Sequence, residues 1–420
     1  MKKTKNRWLI AASAVGIHIF IGSVYAWSNF TNPLIEEFGW TSKQVQFTFS
    51  LAILFLGLSA AFLGHFVEKH GPRKAGLLAA GFFGAGILGS GLAVNLGSLP
   101  LLYITYGVLG GIGLGVGYIA PVSTLVKWFP DRRGLATGLA IMGFGFAAAI
   151  SSPVMDSLIK SVGTAKTFYI LGAAYFIIMT LSSLYLEKPP VDWAPKGFKE
   201  KAQSGKIKIK QDLAQLTANE AINTSRFYYL WVMLFINVTC GIAILSAAKP
   251  LAEESIGLTT AEAAALVGVM GLFNGFGRIA WASISDYIGR PNTYTIFFAS
   301  QIVLFTLLPH TKEAFLFQIM LAIVYTMYGG GFSAIPAFIG DMFGTKQLGA
   351  IHGYILTAWA AAGLAGPMFA AWMKDNTGSY ATSLTFFAGL FVVALVVSIL
   401  IRRDIRKLRE QNAANERLAG

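Results

Sequence analysis

Cysteine and charged residues are scarce in this sequence of 420 residues. The single cysteine, Cys240, lies inside an apolar segment, which excludes an intrachain disulfide and a metal site built from cysteines. Charged residues make up 13% of the chain, about half of their share in soluble globular proteins. Because hydrophobic residues reach 55%, the composition indicates a protein that crosses a membrane several times.

Sequence motifs for catalysis are also missing. The chain has no phosphate-binding loop ending in Lys-Ser or Lys-Thr, no metal-ligand spacing and no nucleophile elbow. The glycine-rich stretch GGIGLGVG (Gly110–Gly117) lies inside an apolar segment, where small residues allow helices to pack closely. We therefore expect no enzymatic activity, no cofactor and no bound metal.

The formal net charge of +13 has an uneven distribution along the chain. Basic residues precede the first apolar segment, occupy alternate loops and follow the last segment, whereas acids such as Glu36 and Glu253 fall in the other loops. Membrane proteins keep their basic loops in the cytoplasm. The pattern argues against nucleic acid as a partner and predicts a multi-pass protein of the inner membrane with both termini cytoplasmic.

Twelve apolar segments are long enough to span a lipid bilayer. The first follows the basic start MKKTKNR without a small-residue cleavage site, so we interpret it as a retained helix rather than a signal peptide. The segments lie at about 8–30, 44–66, 74–95, 99–121, 134–157, 165–186, 227–249, 261–284, 292–309, 314–337, 348–372 and 381–401.

A polar stretch divides these segments into six and six. We interpret it as a solvated cytoplasmic loop, and its lysines are Lys196, Lys199, Lys201, Lys206, Lys208 and Lys210. The predicted organisation is an N-terminal half (1–186), a central loop (187–225), a C-terminal half (226–402) and a cytoplasmic tail (403–420).

The two halves repeat each other in sequence. GHFVEKHGPRK (Gly64–Lys74) and ASISDYIGR (Ala282–Arg290) each place an acid four positions after a small residue and a glycine three positions further on. GVGYIAPVSTLVKWF (Gly115–Phe129) aligns without gaps on GGGFSAIPAFIGDMF (Gly329–Phe343). Parallel six-helix repeats are typical of transporters whose substrate site lies at the midplane, between the halves.

The loop Gly64–Lys74, with Glu68 where Asp is usual, resembles the conserved loop motif of the major facilitator superfamily. Stretches that resemble its oxalate–formate antiporter and monocarboxylate transporter branch are VYAWSNFTNPL (Val24–Leu34), KWFPDRRGLATG (Lys127–Gly138), FNGFGRIAWASISDYIGR (Phe273–Arg290) and GDMFGTKQLGAIHGY (Gly340–Tyr354). The resemblance implies an all-α membrane protein of twelve transmembrane helices in two six-helix halves that transports small carboxylates by alternating access.

Arg278 is the leading candidate for substrate binding. It lies in an otherwise apolar segment, where a guanidinium costs roughly 2.5–3.5 kcal/mol unless it meets an anion or a wet cavity. No acid lies deep in any predicted segment, so a substrate carboxylate is favoured over a structural partner. Asn274, one helical turn earlier, either adds a donor to the substrate or holds the guanidinium. In the family this arginine binds the substrate carboxylate.

Aromatic and polar residues of other segments complete the predicted site. The family resemblance favours a tyrosine in the fourth segment and one in the tenth, although aromatic packing alone is an equal alternative for each. One face of the first segment adds a tyrosine and an asparagine as candidates. These candidates are Tyr25, Asn29, Tyr118, Tyr328 and Phe332.

Trp359 is an informative departure from the family pattern. By alignment, oxalate exchangers carry a lysine at this position, within a stretch resembling GYILTAWAAAG (Gly353–Gly363). A divalent anion needs two cations in a low-dielectric cavity, and this chain supplies one. We therefore expect singly charged carboxylates such as lactate, pyruvate, formate or acetate, with Trp359, Phe144 and Phe332 packing the apolar end.

The sequence leaves the coupling mode open. A proton would be carried by the substrate carboxylate or by a histidine, His18 or His352. For both histidines we favour the structural alternative: a hydrogen-bonded core residue for His18, and a solvated or backbone-bonded helix end for His352. Anion exchange is the alternative mode to proton symport, and a carboxylate sensor or a channel is the alternative class of protein.

Four charged residues of the repeated loops are interpreted as gating residues that clamp helix ends without touching the substrate. They are Glu68, Arg73, Asp286 and Arg290. The remaining expected partners are a small monocarboxylate, a proton and the lipid bilayer, with the monomer as the functional unit.

Overall fold

The computed structural model describes residues 4–190, 193–195, 198 and 212–419. In these residues all regular structure is helical. The lysines predicted to form a solvated central loop, from Lys196 to Lys210, lie outside the described residues, so that interpretation stays a prediction.

Twelve helices of the described chain are long and apolar enough to cross a membrane. Those of the first half, α1 to α6, are Arg7–Ala26, Ser42–His70, Pro72–Asn95, Leu99–Trp128, Arg133–Val162 and Thr164–Tyr185. Those of the second half, α7 to α12, are Ser225–Ile256, Ala261–Ile288, Arg290–His310, Ala314–Phe343, Leu348–Thr377 and Ala381–Asn415. The predicted number and order of spans are confirmed.

The repeated loop motif has the same backbone geometry in both halves. Gly71 ends α2 with φ of 83°, and Gly289 ends α8 with φ of 87°. Side chains other than hydrogen strain this region of backbone space, which explains the glycine at the same place in each repeat. A proline then follows in the first turn of α3 and of α9, where its missing N–H has no helical partner to lose.

Four helices form most of the interface between the halves. α2 packs along α11, and α5 packs along α8. The two pairs are equivalent under the repeat, because α8 and α11 occupy in the second half the places of α2 and α5 in the first. The residues at the middle of α8 are therefore positioned between the halves.

Both ends of the described chain lie on one face of the bundle, which we call the terminal face. Lys5 donates to the carbonyl oxygen of Tyr185 at the end of α6. Asn412, near the end of α12, donates to the carbonyl oxygen of Leu213, which precedes α7. This face also carries the repeated loops, as an even number of spans requires.

Candidate functional site

Arg278 lies buried in the middle of α8, with 2% of its surface exposed. Its Nε donates to Oδ1 of Asn274 over 3.1 Å, and its Nη1 donates to the carbonyl oxygen of Ile141 in α5 over 3.3 Å. The Asn274 amide nitrogen in turn donates to the carbonyl oxygen of Tyr325 in α10. Asn274 therefore holds the guanidinium in place, and Arg278 reaches across to the other half.

The charge of Arg278 has no acidic counterpart in the part of the chain that the structure describes. Arg278 and Arg290 are the two buried members of the described arginines and lysines. Arg290 forms ion pairs with Asp286 (2.5 Å) and Asp341 (3.3 Å), whereas the partners of Arg278 are a neutral amide and a carbonyl. An uncompensated buried cation is costly, and a bound anion would offset that cost.

Glycines let three helices approach closely around Arg278. A Cβ atom on Gly145 of α5 would lie 3.0 Å from both Nε and Cδ of Arg278. A Cβ on Gly138 would lie 2.9 Å from the Arg278 carbonyl oxygen, and one on Gly329 of α10 would lie 3.1 Å from Cγ. This close packing of α5 against α8 brings the Ile141 carbonyl within reach of the guanidinium.

Four buried aromatic side chains form a wall beside the guanidinium, and we call them the aromatic wall: Tyr118, Phe144, Phe332 and Trp359. The Trp359 ring lies 4.7 Å from Phe332, 5.4 Å from Tyr118 and 5.6 Å from Phe144, between ring centroids. Arg278 Cζ lies 5.5 Å from the Phe332 centroid and 6.0 Å from that of Phe144. The wall joins α4 and α5 to α10 and α11, and its ring faces attract the cation.

Tyr25 and Tyr328 lie beside this wall. The Tyr25 ring contacts Phe144 at 4.9 Å, and the Tyr25 side chain also lies close to those of Arg278, Tyr328 and Trp359. Asn29 is placed differently, because its amide donates to the Ala26 carbonyl and to the Ser152 hydroxyl. The structure thus groups Tyr25, but not Asn29, with the guanidinium.

Two histidines from opposite halves contact Tyr118. The His18 ring centroid lies 5.2 Å from that of Tyr118, and His352 lies 5.8 Å from it on the α11 side. Both histidines are buried, with 0% and 1% of their surface exposed. Of the two alternatives expected for His352, the solvated one is therefore wrong: α11 begins at Leu348, and its first turn is packed against the other half. His18 is hydrogen-bonded to the backbone, as expected.

An acid of each half caps a helix of the other half at the terminal face. Oε1 of Glu68 accepts from the Gly349 N–H at the start of α11, while Oε2 accepts from Lys127 at 2.7 Å. Asp286 accepts from the N–H groups of Gly134 and Leu135 at the start of α5. A carboxylate at a helix N-terminus satisfies free N–H groups and the helix dipole, so these contacts hold the halves together.

Further ion pairs reinforce this closure. Arg133 of the first half pairs with Asp341 at 3.1 Å and with Asp212 at 2.5 Å. Lys188 donates to the Glu68 carbonyl oxygen, and burial together with the neighbouring Lys127 ammonium lowers the pKa of Lys188. Arg73 stands apart, because it reaches Glu187, at the start of the central loop, at 3.7 Å and is half-exposed.

Comparison with known proteins identifies the family. The sequence model of the Major Facilitator Superfamily matches residues 12–333 and 230–419. The chain belongs to this superfamily. Its members are transporters rather than enzymes, which agrees with the absence of catalytic motifs.

Curated relatives of this transporter lie in the branch that the sequence motifs indicate. The oxalate:formate antiporter of Oxalobacter formigenes is 28% identical over 409 residues, which cover 96% of this chain and 94% of the relative. Monocarboxylate transporter 2 of Rattus norvegicus is 25% identical over 438 residues, covering 98% and 86% of the two chains. The predicted resemblance to the oxalate–formate and monocarboxylate branch is confirmed.

Solved structures confirm the fold. The fucose:proton symporter FucP of E. coli matches with a TM-score of 0.72 at 14% identity, covering 94% of this chain and 99% of the other. The proton:xylose symporter XylE matches with a TM-score of 0.67 at 17% identity, covering 93% and 94%. At these identities the likeness concerns the fold alone.

Sequence reasoning missed the partners that hold the transporter's guanidinium and close its terminal face. The carbonyl groups of Ile141 and Tyr325 carry no side-chain signal. Asp212 and Asp341 do carry one, because Asp212 follows a run of lysines and Asp341 is a charge near the end of an apolar segment. Arg133 lies in one of the basic loops that the charge pattern assigns to the cytoplasm, and the structure places it between two acids.

The amide of Asn274 offers a first test of the site. An Asn274→Asp substitution places a carboxylate at the oxygen position that now lies 3.1 Å from Arg278 Nε. The acid would neutralise the guanidinium internally, so we expect substrate affinity to fall by about tenfold or more, as an anion must compete with a fixed one. Asn274→Gln is the neutral control, and the half-saturating carboxylate concentration is the measurement. Unchanged affinity in Asn274→Asp would contradict an anion site at Arg278.

Proposed function

We propose that this transporter carries small monocarboxylates of the lactate or pyruvate type across the inner membrane by alternating access, coupled to protons. The observation that carries the proposal is Arg278, a buried guanidinium between the halves that pairs with no acid among the described residues. One guanidinium presents one fork of donors, which matches one carboxylate.

The aromatic wall supports a singly charged substrate. Trp359, 1% exposed and packed on Phe332, fills with an indole the place where oxalate exchangers are expected to carry a lysine. A second carboxylate would therefore be desolvated without a cation to offset its charge. Phe144, Phe332 and Trp359 are instead suited to the apolar end of a short carboxylate. In this proposal Tyr118, Tyr25 and Tyr328 add hydroxyl groups to the site.

The transport cycle follows from the two clamps at the terminal face. Basic residues before α1 and after α12 support a cytoplasmic terminal face, so that Glu68 and Asp286 close the cytoplasmic path in the conformation described. Release of substrate into the cytoplasm requires both clamps to open while the halves, residues 1–186 and 226–402, rock around Arg278. The central loop (187–225) and the tail (403–420) would remain cytoplasmic, and one chain contains the whole site.

Two modes of coupling fit this geometry. In proton symport, the proton enters with the substrate carboxylate or on His18 or His352, whose rings both contact Tyr118. Anion exchange of the oxalate–formate type is the second candidate. It is favoured by the bond from Arg278 to Ile141 across the halves, because this bond and the uncompensated charge both hinder reorientation of the empty protein.

Uptake by the purified protein in liposomes tests the function. Labelled lactate, pyruvate, formate and oxalate are offered with and without an inward-acid pH gradient, and with and without an internal carboxylate. We expect saturable lactate or pyruvate uptake that the gradient drives into vesicles free of internal substrate. Uptake that requires an internal anion would indicate exchange. Flux that does not saturate would indicate a channel, and binding without flux would indicate a sensor. Oxalate as the preferred substrate would contradict the monocarboxylate proposal.

A further inference from the structure

A group of polar atoms without hydrogen-bond partners is centred on Tyr118 of the aromatic wall. It consists of Nε2 of His18, the hydroxyl of Tyr118 and Nδ1 of His352, which we call the neutral polar cluster. All three atoms are buried without a hydrogen-bond partner. A buried polar atom left unpaired costs about 1–3 kcal/mol, so such a cluster at the centre of a transporter calls for a ligand.

The backbone defines the role of His18 within the cluster. Nδ1 of His18 lies 3.0 Å from the carbonyl oxygen of Ala14, one turn earlier in α1. A carbonyl oxygen only accepts, so Nδ1 must carry the hydrogen. In an uncharged imidazole Nε2 then has a lone pair and no hydrogen, which makes it an acceptor. Nε2 of His18 is therefore a buried acceptor without a donor.

Two rings of the aromatic wall border both the cluster and Arg278. Phe332 lies 5.5 Å from Arg278 Cζ and 5.8 Å from the Tyr118 ring centroid, and Phe144 lies 6.0 Å and 5.7 Å from the same two groups, so one small substrate beside these rings can face both. A second carboxylate does not suit the cluster, because its oxygens have no hydrogen to give to His18. A ketone oxygen has the same defect. A hydroxyl group can donate to His18 and accept from Tyr118.

We propose that His18 determines substrate specificity by accepting a hydrogen bond from the hydroxyl group of a hydroxy monocarboxylate whose carboxylate binds Arg278. This inference rests on the proposed function and narrows its substrate class to hydroxy acids. Tyr118 and His352 complete the hydroxyl subsite from the two halves, so that a hydroxy acid contacts α1, α4, α8 and α11 together.

Pairs of competitors that differ by one hydroxyl group test the inference. Lactate is compared with propionate, and 3-hydroxybutyrate with butyrate, as inhibitors of labelled lactate uptake into proteoliposomes. The wild type should favour at least one hydroxy member by about tenfold, the worth of one good hydrogen bond at a buried site. His18→Ala should reduce that ratio to near one, because it weakens the binding of the hydroxy acid and leaves the binding of the acid without a hydroxyl group unchanged. His70→Ala removes an exposed histidine of α2 and should leave the ratio as in the wild type.

His18→Phe serves as a second variant, since it keeps an aromatic ring against Tyr118 and lacks both nitrogens. It should show the same loss of preference for the hydroxy acid, and it provides this test even if the alanine variant does not fold. A wild type that does not distinguish the pairs would overturn the inference. So would His18 variants in which uptake of both members falls together, as a proton carrier or a structural residue predicts. If the wild type transports neither lactate nor propionate, the proposed function fails instead.

Discussion

Arg278→Ala is expected to reduce carboxylate uptake by at least 30-fold in proteoliposomes. Removing one partner of a buried, hydrogen-bonded charge pair costs about 2–5 kcal/mol, which corresponds to about 30-fold to several thousand-fold in affinity. Neither Asn274 nor the aromatic wall supplies another positive charge to replace the guanidinium. The loss should therefore appear for lactate, pyruvate and formate alike, in the half-saturating concentration and in the maximal rate.

Two further arginine variants separate charge from geometry. Arg278→Lys keeps a positive charge but loses the planar fork, so its uptake should fall between that of the wild type and that of Arg278→Ala. Arg406→Ala removes an exposed arginine near the end of α12 and should transport at the wild-type rate. Each variant is first checked for a monodisperse, helical protein. Undiminished uptake by a folded Arg278→Ala would refute the binding site.

Trp359→Lys is expected to shift preference toward oxalate. The new ammonium would lie among Tyr118, Phe144 and Phe332. The buried residues of the described chain include no acid that could pair with it. Two unit charges 4 Å apart gain about 4 kcal/mol at an effective dielectric constant of 20, and the desolvation of lysine offsets part of this gain. We expect the oxalate-to-lactate uptake ratio to rise on the order of tenfold.

Competition between labelled lactate and unlabelled oxalate measures this shift. Trp372→Lys is the matched control, because Trp372 lies on the same helix with 57% of its surface exposed. Trp359→Phe keeps the wall aromatic and should leave oxalate excluded. If Trp359→Lys folds and its oxalate-to-lactate ratio equals that of the wild type, the position does not face the substrate, and the argument from charge number fails.

The fold was accessible from the sequence because a bilayer restricts a chain to few solutions. Every spanning segment must satisfy its own backbone, so apolar length alone counted the twelve helices. Arg278 was accessible for the same reason, since a guanidinium stands out in an apolar segment. The repeat identified Glu68 and Asp286 as partners in a symmetric arrangement, and the structure shows each of them at the N-terminus of a helix in the other half.

The remaining features depend on how helices pack, which the sequence does not encode locally. His352 was expected at a solvated helix end because it stands four residues after the start of α11, yet the other half covers that turn. Asn274 allowed two roles in sequence, and the distance to Arg278 Nε together with its bond to the Tyr325 carbonyl shows that it holds the guanidinium. The Ile141 carbonyl became a partner through the absence of side chains at Gly138 and Gly145.

The hydrogen bond from Arg278 to Ile141 links substrate affinity to the rate at which the two halves reorient without substrate. The Ile141 carbonyl occupies one of the two N–H groups of Nη1, so a carboxylate meets a guanidinium with part of its hydrogen-bonding capacity already used, and the measured affinity reflects this competition. A change that draws α5 away from α8 would free the guanidinium for substrate and would also let the empty halves move. Substrate affinity and the rate of reorientation without substrate would then increase together. The spacing of these two helices therefore sets a compromise between tight binding and tight coupling.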